Sequence, residues 1–417
     1  MQNLKSISHK LAKIGKKIYI VGWFTREKIM WHEYAGDIDL ATDALPSEIA
    51  MQLNVIKEVW KKYGTMIVNE WDEVFEITTF RQDIWILNNR KPVEVEFTDS
   101  LDLDSARRDF TCNSIYYDIE LGEYIDPQNG IDDIRNNLIR FVWNPSDRIN
   151  EDALRILRYI RIKNKFWFEN ALTDTFEILS LNIWLLKNIS IERIKEEFDK
   201  ILLLKNNIEA LNDLKTIWFF KIFLSDVDNL ELTLWWPWHH LEWNVWVHTL
   251  MTIRELNNVF DNGLVLSDMQ WNDEIIRYDY LEKLDFYRTM LLHDVSKYET
   301  YRIDENGNVH YYNHETLWAI KVAEILKKYK FPNNSSKKII WLIQNHLRIF
   351  KVIKMRPLKS RKLMMHKYFR DLILVWIADH LGRIPADALL IDELKLFYKQ
   401  FMIILKDKVF YKWWDID

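Results

Sequence analysis

The chain has 417 residues, 48% hydrophobic and 29% charged. That is enough apolar material for roughly two to four packed domains, and it excludes a disordered or fibrous protein. A net charge of −5 excludes a chain that coats nucleic acid by bulk attraction, though not a local basic groove. The single Cys112 excludes an intramolecular disulfide and a cysteine-rich zinc site, and fits a reducing compartment.

The first 22 residues lack the apolar core and cleavage site of an export signal. No run reaches the ~18 apolar residues of a membrane-spanning helix, so a soluble, cytoplasmic protein without membrane contact is expected. The strand signals come early. Ile18–Gly22, Asp37–Ala41, Val74–Phe80 and Pro92–Phe97 are short runs rich in Val, Ile, Thr and aromatics. Pro46–Tyr63 has a helical period with Pro46 and Ser47 at its start. From Asn150 onward helices are expected over Glu151–Lys165, Thr173–Leu181, Ser190–Lys205 and Ile208–Phe223. The composition shifts at Leu234–His240, and a second helical block runs from Val245 to Leu405 with polar loops at Asp304–Asn308 and Asn333–Ser336. No internal repeat or low-complexity linker separates these parts.

Asp37-Ile38-Asp39 falls in a strand-like run, where residues i and i+2 share a face, a spacing that suits hard divalent cations. Alone, such a pair is a common solvated edge. Its surroundings are more specific: a turn after Ile18–Gly22, then Arg26, then Glu76-Ile77-Thr78-Thr79-Phe80-Arg81. Arg107-Arg108-Asp109-Phe110-Thr111 with Asn113 follows, then Asp126-Pro127 with Gly130, and Glu151-Asp152 with Arg155, Arg158 and Arg161. In order and spacing, these motifs over residues 18–165 resemble the class II nucleotidyltransferases, the tRNA CCA-adding enzymes and bacterial poly(A) polymerases. The entry turn departs twice from the family's GG-x-x-R-D, with Trp23 for the second Gly and Glu27 for Asp.

The resemblance implies an α+β fold: a nucleotidyltransferase head of mixed sheet and helices over residues 1–142, then an all-helical neck over 143–232. In two-metal phosphoryl transfer Asp37 and Asp39 would hold Mg²⁺. Glu76 is the candidate third carboxylate, ahead of Glu94 and Glu96. Gly22, Trp23, Arg26 and Arg108 would face the triphosphate, and the resemblance puts Asp109 near the sugar. On one continuous helix Asp152 and Arg155 would be i, i+3 neighbours. Together they could pair with the amino donor and ring-nitrogen acceptor that C and A share, and reject G and U. Arg158 and Arg161 match further nucleotide-binding arginines. Lys61-Lys62-Tyr63-Gly64-Thr65 is closer to the H-G-T of CCA-type and A-adding enzymes than to the L-G-R-R-F of bacterial poly(A) polymerases. The expected partners are therefore tRNA, ATP and CTP. A poly(A) or A-adding polymerase, or a phosphohydrolase with an inactive RNA-binding head, are the alternatives; the oligomeric state is not readable.

His248, His293-Asp294 and Asp379 have the spacing H…HD…D. With Lys297 they resemble an HD phosphohydrolase domain, expected over residues 233–400 with a short tail at 401–417. Imidazole and carboxylate together suit a divalent transition metal or Mg²⁺. His314 and His346 fall where two-metal HD proteins carry extra histidines. By resemblance such a domain can act on RNA end phosphates. The basic run Arg348, Lys351, Lys354, Arg356, Lys359, Arg361, Lys362, Lys367 and Arg370 is either a solvated face or an RNA-backbone contact.

There are 20 Trp and only 9 Gly, where the usual ~7% Gly would give about three times as many. Trp23, Trp143, Trp167 and Trp318 stand where the family has Gly; Trp31, Trp60, Trp71, Trp85 and Trp243 look similar, whereas Trp246 matches a family Trp. The expectation is a source that reads one stop codon as Gly, written here as Trp.

Overall fold

The structure is a computed structural model that describes residues 2–32, 36, 38–60, 63–87, 91–233, 244–262, 279–305, 309–311 and 314–383. The chain divides into two compact units, 1–198 and 199–417.

The first unit is built on β1 (Ile18–Val21), β2 (Asp39–Thr42), β3 (Val55–Trp60), β4 (Thr65–Glu70), β5 (Glu73–Thr79), β6 (Arg81–Leu87), β7 (Lys91–Phe97), β8 (Tyr116–Asp118) and β9 (Tyr124–Ile125). Seven of these form one mixed sheet in the order β3-β4-β5-β2-β1-β8-β9, while β6 and β7 make a separate hairpin. All of β1 is buried, and its period of two sends alternate side chains to opposite faces. Ile18 and Ile20 join Leu40, Met66, Val68, Phe75 and Ile77 against Leu4, Ile7 and Leu11 of α1 (Gln2–Ala12). Tyr19 and Val21 pack with Ala41, Phe80 and Tyr116 on the other face. That second face also carries Asp39 and Glu76.

α2 (Trp23–Ile29) leaves β1 through Gly22. α3 (Pro46–Gln52) is shorter than the helix expected over Pro46–Tyr63. Leu53 is extended, and Val55–Trp60, with its β-branched residues, pairs with β4 instead. α4 (Leu101–Ala106) and α5 (Gly130–Arg135) complete the head. The helix expected over Glu151–Lys165 is two helices, α6 (Pro145–Glu151) and α7 (Arg155–Phe166), because Asp152 is extended at φ −144° and ψ 103°. α8 (Thr175–Asn182) and α9 (Ile191–Leu202) follow.

The second unit is helical: α10 (Asn207–Thr216), α11 (Phe219–Phe223), α12 (Ser225–Asp228), α13 (Val245–Asn262), α14 (Tyr280–Leu292), α15 (Lys297–Thr300), α16 (His314–Lys328), α17 (Asn333–Asn345), α18 (Pro357–Met364) and α19 (Phe369–Leu381). Its exception is a hairpin of Tyr301–Ile303 with Val309–Tyr311. Ile208–Phe223 was expected as one helix but breaks at Trp218, which has φ 64°. Asn333–Ser336, expected as a loop, is the first turn of α17, entered through Pro332. α13 packs against α14 and α19, and α17 against α14 and α16. Leu234–His240 and the 401–417 tail lie outside the described residues. Among those described, no helix is long and apolar enough to cross a membrane.

Candidate functional site

In the head, Asp39 stands at the start of β2 between two strands, opposite Val21 of β1 and in parallel register with Glu76 of β5. Register partners in neighbouring strands share a face about 4.8 Å apart, so Asp39 and Glu76 project together from the face opposite α1. Asp37 lies outside the described residues. Of the alternative third carboxylates, Glu96 is on the separate hairpin and accepts from Gln82 at 2.8 Å, and the Glu94 side chain lies outside the described residues. Gly22 makes the turn above them at φ 82°, and a Cβ there would sit 3.5 Å from Asp39 Oδ2. The contact is an ordinary one, and it is the positive φ that calls for glycine here.

Behind this turn Arg26 is fully buried. Its Nη1 donates to Asn113 Oδ1, and its guanidinium lies 4.3 Å from the Phe166 ring centroid and 4.9 Å from that of Trp23. Its Nε and Nη2 have no hydrogen-bond acceptor, an arrangement that suits an arriving anion. Arg161 and Lys165 also lie over Trp23, at 4.6 and 5.0 Å. Glu27, the departure from Asp, is buried and ion-paired with Lys165 at 2.6 Å and His32 at 3.2 Å. Burial would raise its carboxyl, but Lys165, Arg26 and His32 bring it below its ordinary value.

Asp109 accepts from Asn113 Nδ2 at 2.9 Å and pairs with Arg158 Nη2 at 2.5 Å. Burial opposes its ionisation, yet the Arg158 charge and the Asn113 bond hold its carboxyl below the usual range. Arg108 is turned away from this group: it bonds Tyr116 Oη at 3.0 Å and Asp104 Oδ2 at 3.1 Å. Arg161 pairs with Glu197 at 2.8 Å.

The break between α6 and α7 removes the shared helical face assumed for Asp152 and Arg155. Asp152 is the C-cap of α6, where Oδ1 accepts from the Leu154 amide at 3.1 Å and Oδ2 pairs with Arg193 at 3.2 Å. Arg155 is instead held by Glu151 Oε2 at 2.6 Å and by the carbonyls of Arg148 and Arg107 at 2.8 and 3.0 Å. Sequence reasoning missed Arg193, whose Nη1 is buried without a hydrogen-bond acceptor. It lies 41 residues from Asp152, and no spacing rule links them.

In the helical unit His248 (α13), His293 and Asp294 (end of α14) and Asp379 (α19) converge, all fully buried. His248, His293 and Asp294 each offer a ligand atom within 4.8 Å of the others, and Asp379 Oδ1 is 3.0 Å from His248 Nε2 and 3.8 Å from His293 Nε2. The backbone sets both tautomers. His293 Nδ1 is 2.6 Å from the Met290 carbonyl and His248 Nδ1 is 3.1 Å from that of Gly382, so each neutral ring aims its Nε2 lone pair inward. A lone pair facing a carboxylate oxygen at 3.0 Å calls for a cation between them. His293 Nε2 and Asp294 Oδ1 also lack hydrogen-bond partners. This donor set fits a first-row divalent metal.

Around it, Lys297 bonds Asp294 Oδ2 at 2.6 Å and Arg383 bonds Asp379 Oδ2 at 3.3 Å. Despite burial, both carboxyls lie well below their ordinary value, held there by the charge of Lys297 beside Asp294 and of Arg383 beside Asp379. His346 meets His293 edge-on at 5.7 Å, and burial pushes its imidazole down to about 4. The His314 side chain lies outside the described residues. Arg383 and Gly382 were missed, although Asp379 and Arg383 are i, i+4 on one helical path. A Cβ on Gly382 would come within 2.9 Å of the Thr252 amide nitrogen, so glycine lets the end of α19 close onto α13.

Residues 18–140 match the poly A polymerase head domain, residues 173–230 the probable RNA and SrmB-binding site of polymerase A, and residues 269–399 the HD domain. The CCA-adding enzyme of Limosilactobacillus reuteri is 37% identical over 209 residues, and that of Bacillus velezensis 38% over 205. These alignments cover 50% and 49% of this chain and 51% of each relative; the chain spans about half the length of the curated relatives it matches. The crystal structure of Bacillus stearothermophilus CCA-adding enzyme in complex with CTP aligns with a TM-score of 0.62 at 22% identity, over 97% of this chain and 82% of that one. Thermotoga maritima CCA-adding enzyme complexed with tRNA gives 0.60 at 16%, over 96% and 80%. At these identities the structures establish a shared fold. Segments similar to a head domain, an RNA-binding site and an HD domain thus follow one another in that order along the chain.

Proposed function

We propose that this chain is a tRNA nucleotidyltransferase that adds C and A to the tRNA 3′ end from CTP and ATP, and that its HD domain acts on RNA end phosphates. The observation that carries the first part is the register of Asp39 with Glu76 beneath the Gly22 turn. Mg²⁺ held by Asp37 and Asp39 would supply the Lewis acid for the triphosphate and the attacking 3′-hydroxyl. Glu76 completes the carboxylate set. Gly22 lets backbone approach the phosphates, and Arg26 offers them its unsatisfied N–H groups.

Arg158 positions Asp109 for the sugar. Asp152 reads the amino group of C or A after exchanging Arg193 for the base, and Arg155 supplies the donor after releasing Glu151. Arg108 would have to leave Asp104 and Tyr116 to reach a phosphate, so its role is to brace Asp104 unless nucleotide draws it out. Residues 1–142 form the head, 143–232 the neck and 233–400 the HD domain, followed by a 401–417 tail. The exposed Arg348, Lys351, Arg356, Lys359, Arg361, Lys362, Lys367 and Arg370 give tRNA phosphates a basic face.

In the HD domain His248, His293, Asp294 and Asp379 would hold a divalent transition metal or Mg²⁺, whose chemistry is activation of water toward a phosphoester. Lys297 neutralises charge beside it. The test of the main reading is incubation with tRNA lacking its 3′ end, Mg²⁺ and labelled CTP or ATP. Incorporation of C and then A is expected. Incorporation of A alone points to an A-adding or poly(A) polymerase, and none at all to an HD phosphohydrolase with an inactive head.

A further inference from the structure

Among the described residues, nine that are not glycine have positive φ, and five of them are tryptophans: Trp31 (59°), Trp71 (51°), Trp143 (67°), Trp167 (58°) and Trp218 (64°). Of the rest, Asp72, Asn129 and Asn137 belong to the types that tolerate this region, where a bulky residue is an outlier. Glycine also has positive φ in this chain at Gly15, Gly22, Gly64 and Gly122.

The five positions do jobs that select glycine. Trp31 ends α2: its own amide bonds the Lys28 carbonyl at 3.2 Å and the next amide, His32, reaches back to Glu27 at 2.9 Å. Trp167 ends α7 in the same way, with Phe168 N–H on the Lys163 carbonyl at 2.9 Å. Trp218 ends α10, bonding the Lys215 carbonyl at 2.9 Å. These are the left-handed stops that glycine provides. Trp71 and Asp72 link β4 to β5 as a two-residue turn with both φ positive, 51° and 64°, the hairpin type that requires glycine, Asn or Asp. Trp143 precedes Asn144, whose side chain caps α6.

Nor does packing explain the indoles, which are 95%, 76%, 71%, 66% and 52% exposed at positions 31, 71, 143, 167 and 218. Tryptophan is ordinarily among the more buried residues. By contrast Trp246 and Trp376 are helical and buried. Trp318 is also buried and helical, against His346 at 4.8 Å, so backbone conformation gives no reason for glycine there. Composition agrees: no glycine occurs between Gly130 and Gly263, a stretch that contains three of the five.

We propose that positions 31, 71, 143, 167 and 218 are glycine in the protein as its own cell makes it, the codon written here as tryptophan being decoded there as glycine. The gene then carries UGA at these five positions and UGG at 246 and 376. Position 23 follows by extension, and that step rests on the proposed nucleotide site: its indole occupies the space on which Arg26, Arg161 and Lys165 converge. Glycine there leaves a three-cation pocket for an anion.

Peptide mass mapping of the protein from the cells that encode it should find glycine at all five positions; tryptophan there overturns the proposal. Independently, the chain made with tryptophan should melt roughly 10 °C below its five-fold Trp→Gly variant, from the relief of five strained residues. An equal or lower melting temperature for the variant overturns it too. Trp23→Gly in that background should tighten CTP binding at least about ten-fold by calorimetry. If stability rises and CTP binding does not, the nucleotide site is wrong and the glycine assignment stands.

Discussion

The two carboxylate sites of this chain are built on opposite principles. In the head, Asp39 is half-buried and Glu76 exposed, side by side on one face of a sheet. In the helical unit, Asp294 and Asp379 are sealed among histidines, Lys297 and Arg383. Strand register alone delivers the first pair, and water can satisfy it when nothing is bound. The second requires α13, α14 and α19 to close together, and its inward lone pairs are tolerable only around a proton or cation. An open site suits a metal that arrives with a nucleotide and leaves with pyrophosphate; a closed one suits a resident metal.

The sharpest way to break this contrast is to remove one site at a time. Asp39→Ala should lower CTP and ATP incorporation by about a thousand-fold or more, while bound metal in the purified protein stays unchanged. His293→Ala should do the reverse. Metal content and phosphate release from RNA ends fall by roughly 100-fold, chelator no longer lowers the melting temperature, and nucleotide incorporation stays at the parent's rate. If Asp39→Ala empties the resident metal, or His293→Ala stops incorporation, the two sites are not independent.

A finer test concerns Glu76. As the register partner of Asp39 it should matter for turnover more than for binding, so Glu76→Gln should reduce kcat by about 10–100-fold with little change in KM. Glu96→Gln, on the separate hairpin, should change neither. Equal effects of both variants would sink the assignment of the third carboxylate.

What sequence disclosed about these sites follows from the range of each rule. His293-Asp294 was legible as an adjacent imidazole and carboxylate, a donor pair that suits a metal, and Asp39 as part of a strand-like run in which residues i and i+2 share a face. Glu76 was expected ahead of Glu94 and Glu96, but its place beside Asp39 depends on the parallel register of β2 and β5, which no local spacing shows. The shared helical face expected for Asp152 and Arg155 is lost to a local event. Asp152 is extended, its side chain caps a turn, and two residues that would be neighbours on a helix find different partners. The helix breaks at 152 and 218 were hidden for different reasons: Asp is a common capping residue, whereas Trp carries no stop signal at all. Gly22 was informative where it stands, because its positive φ selects glycine, whereas Gly382 was missed because its close approach to Thr252 depends on how α19 meets α13.

Glu27 offers the smallest and most specific comparison, between a residue that departs from the family motif and one that has lost a function. Its carboxylate is buried, yet it is anchored by Lys165, Arg26 and His32 and not by the Asp39 face. Its place is thus to tie α2 to α7. Glu27→Gln should cost about 1–2 kcal/mol, discounted because Lys165 is partly exposed, and should leave incorporation at saturating nucleotide near the parent's. The pH dependence has a definite sign. The folded carboxyl titrates below its ordinary value, so the pairing contributes in full above that ordinary value and is lost as pH falls through the lowered one. Chemical denaturation of parent and variant should therefore differ most near neutrality and converge in acid. A gap that widened on acidification would mean that Glu27 is held in its protonated form, and that burial rather than Lys165 decides its charge.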